Sequence, residues 1–285
     1  MLALGIRAGA WVALGIVAGA MVGDLASLLW RVAPSIPRMA TVVAFWAAQA
    51  GLLATTCWRA ARWDRVPPAV VAVSGVLLVG SVAVGDVSVG VSAPRGWFHG
   101  GLFGSAIFTV WATMFCAVGA WYGAQCTGEQ PLGRQRHRPA LGGGLHAAGW
   151  IALAEVAHAG LTELQRSVWH ALSPAIPFGT AALPFWVAHG ALVGAAGWTA
   201  RRFDGAPPGV VAAAALVLMT AIRVGVVGLA LFVVPGPAPA AVLSVGLSAA
   251  ALTLCSLAGA CYAQRNGPAA RRGASEIADS SPSAR

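Results

Sequence analysis

The chain of 285 residues contains no lysine, and all 18 of its basic residues are arginine. The absence of lysine removes any Walker A phosphate loop, which needs one to reach the phosphates. Charge is scarce in general, at 9% of residues against about 25% in an ordinary soluble domain. So little charge cannot cover a water-facing surface over this length, which excludes a soluble globular protein. The net charge of +9 is not a nucleic-acid signal either, because the arginines fall between apolar runs, as juxtamembrane charges do. Their use in place of lysine reflects a GC-rich, bacterial genome. Cysteine pairs at metal-ligand or redox spacing are missing too. Cys57, Cys116, Cys126, Cys255 and Cys261 form no CxxC, which argues against a zinc knuckle and a structural disulfide. There is no Gly-x-Ser-x-Gly and no His-Glu-x-x-His.

What the chain has is apolar sequence, 58% of residues, and an internal repeat. Trp11 recurs as Trp150, Asp24 as Glu163 and Trp30 as Trp169, at an offset of 139. After a one-residue insertion the offset is 140. It carries Pro34, Ile36 and Pro37 onto Pro174, Ile176 and Pro177, and Phe45-Trp46 onto Phe185-Trp186. It also carries Asp64 onto Asp204 and Pro67-Pro68 onto Pro207-Pro208. Apolar composition alone does not keep Trp, Pro and Asp in register. The recurrence of the first apolar stretch in mid-chain makes it a retained span, not a cleaved signal peptide.

Each copy divides into four apolar stretches, near 5–28, 39–58, 67–87 and 102–124, then 145–165, 179–198, 207–233 and 239–262. Each approaches the ~20 residues a helix needs to cross ~30 Å of hydrocarbon. Backbone groups in lipid must be paired internally, so these are helices. The expected fold is an all-α integral membrane protein with eight transmembrane helices in two tandem parallel four-helix repeats. Residues 1–125 form the first repeat and 145–264 the second. Residues 126–144 make a basic, glycine-ended linker, and 265–285 a disordered tail. Thirteen of the 18 arginines fall on the side that holds both termini and the linker. The positive-inside rule makes that side the cytoplasm, in a multi-pass protein of the cell membrane. An even number of spans per copy gives both copies one orientation, with a pseudo-twofold axis along the membrane normal.

Ionisable groups inside a span are costly and mark candidate sites. Glu155 falls near the middle of span five, with His158 three residues on along the same helix face. His189 falls midway along span six. Their counterparts in the first copy are Ile16, Gly19 and Gln49. Polar groups present in one copy only point to a single asymmetric site, with Glu155, His158 and His189 as its acid–base set. The simpler alternative is a Glu155–His158 pair that serves packing. Trp46, Trp150, Trp186 and Gln49 are candidate pocket residues, since aromatic faces line apolar pockets and can stabilise a cation. Asp86 in span three and Arg223 in span seven form an expected charge pair, with substrate contact as the other reading. Asp24 and Glu163, at the outer ends of spans one and five, are secondary candidates, or else plain interfacial carboxylates. Asp64 and Asp204 precede proline pairs and read as helix starts. No metal site is expected.

The four-plus-four parallel architecture resembles that of haem A synthase. That family uses paired histidines in the even-numbered spans of both halves. Here span two carries Gln49, spans four and eight have no interior histidine, and only His189 in span six fits. The resemblance is one of architecture alone. No cofactor is predicted, and haem stays open. The leading expectation is an enzyme acting inside the membrane on a lipophilic, isoprenoid-like small molecule, with the lipid bilayer as its other partner and no nucleic acid. A proton-coupled transporter and a non-catalytic assembly subunit are the alternatives.

Overall fold

The structure is a computed structural model that describes residues 2–32, 38–89, 101–126, 140–172, 178–233 and 238–266. Side chains are described over a narrower set, which leaves out Asp86, Glu163 and Arg223. Most of the expected linker and tail, 127–139 and 267–285, also lies outside the described residues.

The described chain is all helical, with eight helices in order: α1 Leu2–Val32, α2 Arg38–Trp63, α3 Pro68–Val89, α4 Gly101–Gln125, α5 Ala140–Leu172, α6 Phe178–Asp204, α7 Pro208–Val233 and α8 Ala238–Arg265. Three stretches among the described residues are long and apolar enough to cross a membrane: Leu2–Ala26, Met39–Trp63 and Gly246–Arg265. Shorter apolar helices run over Pro68–Ser81 and Pro208–Ile222. The fold is compatible with a helical membrane protein. Two boundaries differ from expectation. α1 runs to Val32, past the expected span end near 28, and Gly142–Gly144 belong to the first turns of α5, not to a loop. Three glycines weaken a helix by about 1 kcal/mol each relative to alanine, but here they lead into the densely packed start of α5.

The turns after α2 and α6 explain the repeated Asp-x-x-Pro-Pro sequences. Val66 N–H donates to the Ala60 carbonyl, and Ala206 N–H to the Ala200 carbonyl, each at 3.3 Å. This wraps the helix end around a residue with positive φ, Arg65 (53°) in one turn and Gly205 (68°) in the other. Pro67 and Pro207 then offer their carbonyls to the first N–H groups of α3 and α7. Asp64 and Asp204 therefore sit where one helix has just ended, and their side chains are free to turn into the bundle.

Packing within α1–α4 has its counterpart in α5–α8. α2 lies on α4 as α6 lies on α8, and α1 touches α2 and α3 as α5 touches α6 and α7. Small residues set these approaches, as in membrane helices generally. A methyl group on Gly119 of α4 would overlap the Ala54 carbonyl of α2, and one on Gly259 of α8 would overlap the Gly194 carbonyl of α6. The buried core forms two clusters, one mainly from α1–α4 and the other mainly from α5–α8 with Ala10, Ala13 and Val17 of α1 inserted. Leu14 and Leu78 pack against both. The halves meet along α1 and α5, flanked by α3 and α7. Gly149 of α5 faces Ala10 of α1 so closely that a Cβ there would lie 3.2 Å from the Ala10 carbonyl oxygen. These two positions are 139 apart, so the helices cross at equivalent points.

Candidate functional site

α5 and α6 bring the three expected acid–base residues together. His189 is fully buried, and its Nε2 lies 2.6 Å from Glu155 Oε1. The His158 ring stacks on the His189 ring, with centroids 3.5 Å apart and planes within 5°. Glu155 and His158 share one face of α5 by their three-residue spacing, and that face looks at α6. The Glu155 side chain is only 10% exposed. A carboxylate accepts, so the short contact needs one proton, held on Nε2 or on the carboxyl. His189 Nδ1 is buried and makes no hydrogen bond among the described residues. A lone pair is cheaper to leave there than an N–H, so Nδ1 is the natural bare nitrogen. The trio is a compact unit built on one hydrogen bond and one ring stack.

Trp186 stands beside the trio with its ring centroid 6.4 Å from that of His189, and its own surface is more than half exposed. The other expected pocket residues lie elsewhere. Gln49 is buried on α2 and packs on Gly19, where a Cβ would come within 2.9 Å of its Cγ. Gln49 and Gly19 thus occupy in the first half the places of His189 and His158 in the second. Trp46 meets Trp111 edge-on at 4.8 Å in the first half. Trp150 turns away to Asp204. Asp24 is partly buried on α1. The expected Asp86–Arg223 pair and Glu163 lie outside the described side chains. An apolar groove of about 550 Å³ between α1 and α3 reaches Leu153 of α5. Helical residues turn by about 100° each, so Glu155, two positions on, faces away from it. All five cysteines are free. Among the described residues no group of three or more His, Cys, Asp or Glu is placed to hold a metal ion.

A second polar cluster was not anticipated from the sequence. The Trp11 indole N–H donates to Asp64 Oδ2 at 2.6 Å, and the Trp150 indole N–H to Asp204 Oδ2 at 2.6 Å. His146 Nε2 lies 3.0 Å from Asp64 Oδ1, and Arg7 Nη2 lies 3.7 Å from Asp204 Oδ1. Both carboxylates are almost fully buried, at 1% and 3% exposure. The signal was present in the repeat, since Trp11/Trp150, Asp64/Asp204 and Arg7/His146 are all equivalent positions. Its meaning lay in contacts spanning 53 to 197 residues, which local spacing does not encode.

No protein-family model matches the chain, and comparison with curated proteins and with solved structures likewise gives no match.

Proposed function

We propose that the chain is a membrane-embedded enzyme that performs acid–base chemistry on a lipophilic small molecule of isoprenoid-like character. On this reading all eight helices span the cell membrane as two parallel four-helix repeats with cytoplasmic termini. The observation that carries it is the Glu155–His189 hydrogen bond with His158 stacked against it. A buried carboxylate–imidazole pair is suited to giving and taking a proton in the transition state. The trio sits between α5 and α6 within one half, beside the exposed Trp186, so a substrate dissolved in the bilayer reaches it sideways. Glu155 is the group that exchanges the proton with substrate, His189 holds and orients that proton, and His158 supports the His189 ring.

The experiment is purification in detergent, identification of co-purified lipids, and conversion assays on the lipid class found. Glu155→Gln keeps shape and should abolish turnover at near wild-type folded yield. A fully active Glu155→Gln protein rejects the reading. Reporter fusions after residue 64, near 135 and after 265 should report cytoplasm, and fusions near 95 or 172 the outside. An outside signal near 135 rejects the topology. The cluster of charges at the α1–α5 crossing favours a second reading, a proton-coupled transporter whose halves move against each other. Proton-dependent flux in proteoliposomes without conversion of substrate would select it.

A further inference from the structure

The two buried carboxylates at the α1–α5 crossing have matched surroundings with one chemical difference. Each takes an indole N–H from its own half and a cation from the other half. For Asp204 the cation is Arg7, which stays charged at every accessible pH. For Asp64 it is His146, whose charge is conditional.

The geometry around His146 specifies two protons. Its Nδ1 lies 2.8 Å from the Gly142 carbonyl. A carbonyl only accepts, so Nδ1 carries a hydrogen and donates it. Nε2 lies 3.0 and 3.2 Å from the two Asp64 oxygens, so a second proton belongs between ring and carboxylate. Without it, a bare nitrogen lone pair would face an anion. Trp11 meets the ring edge-on with centroids 4.9 Å apart, and Trp63 stacks on it at 6.1 Å and 18°. A cavity of about 10 Å³ lined by Arg7, Trp11, Asp64, His146, Trp150 and Asp204 is at the lower limit for one water, about 10–15 Å³, which suits a site that exchanges protons.

We propose that His146 and Asp64 form a proton-binding site at the junction of the two halves, and that its proton controls how firmly the halves are held. The Arg7–Asp204 contact is the permanent half of this junction and His146–Asp64 the proton-dependent half. The charged groups facing His146 are Asp64 from the α2–α3 turn, Asp204 from the end of α6, and Arg7 from α1. Arg59 of α2 stands over the Trp63 ring at 4.8 Å. α3 and α7 bring no titratable side chain in their described stretches. The inference stands apart from the acid–base reading of Glu155. The sign follows from the contacts. The bound proton ties the halves at low pH, and that contribution is lost as pH rises and the proton leaves.

The test is thermal melting of the full-length protein in detergent between pH 5.5 and 8.5. The wild type should lose about 2–4 °C or more in Tm as pH rises. His146→Arg, which makes both contacts permanent, should remove that step. Asp64→Asn, which keeps an acceptor for Trp11 but no negative charge, should also remove it. Asp204→Asn, the same change at the equivalent position, should keep it. Either His146→Arg or Asp64→Asn suffices for the comparison if the other fails to fold. The proposal is overturned if the wild type shows no step, if the step survives His146→Arg or Asp64→Asn, or if Asp204→Asn abolishes it.

Discussion

The first half of the chain supplies a template for removing the Glu155–His189–His158 trio without breaking the bundle. Ile16, Gly19 and Gln49 occupy the equivalent positions, and there Gln49 packs directly on Gly19. The triple substitution Glu155→Ile, His158→Gly, His189→Gln rebuilds that packing in the second half. Each single change should do harm. Glu155→Ile leaves His189 Nε2 buried without an acceptor, a loss of about 1–3 kcal/mol. His189→Gln strands the Glu155 carboxyl and puts an amide against a ring that fitted an imidazole. His158→Gly removes the stacked ring and adds about 1 kcal/mol of helix cost. With about 2–4 °C of Tm per kcal/mol for a chain of this size class, single variants should melt several degrees low. The triple variant should melt above the worst single variant, because Gln packed on Gly is an arrangement the first half already sustains at Gln49 and Gly19. Differential scanning fluorimetry in one detergent at one pH measures all four proteins. If the triple loss equals or exceeds the sum of the three single losses, the residues do not act as a unit and the site argument fails.

Two further changes probe the scaffold. Gly259→Ala should force α8 away from the Gly194 carbonyl and lower Tm by an overpacking cost of about 1–3 kcal/mol. Gly246→Ala on the same helix, where a Cβ meets nothing within 4 Å, should be neutral or mildly stabilising, and equal losses at the two positions would refute the close-contact account. Arg65→Gly should raise Tm, because Arg65 holds a φ of 53° at a strain of about 1–2 kcal/mol. A drop in Tm would mean that the arginine side chain contributes more than its backbone costs.

The helices were legible because apolar runs bounded by proline and arginine leave few other readings. The trio was legible as well. Glu155 and His158 declare a shared face by spacing, and His189 lies on the next helix, which must return alongside. Trp150 was less legible. A deep tryptophan reads as pocket lining, yet its N–H is committed to Asp204, since a buried indole donor needs an acceptor. By sequence Asp64 and Asp204 look like helix starts, because an acidic residue before proline normally is one. The cap formed through Arg65 or Gly205 makes them helix ends instead, and lets their side chains point inward. Arg7 counted only as a topological charge, and His146 was hidden by its place beside a glycine run. Their roles appear only when the two halves are set against each other.

The exchange of cations across the α1–α5 crossing bears on how such a chain assembles. A chain cut between 126 and 140 yields two fragments, each with a buried carboxylate missing its cation and a cation missing its carboxylate. Breaking one partner from a buried pair costs about 3–5 kcal/mol, so each fragment alone is deficient twice over, and each deficiency is met by the other. Co-expressed fragments should therefore recombine where single ones fail. The contact is isologous in form, so a first half could also dock on its own twin, Arg7 to Asp64 in both directions. That self-paired version would have two permanent contacts and two identical interiors. Joining the halves in one polypeptide is what frees one junction to use histidine and one interior to hold Glu155, His158 and His189.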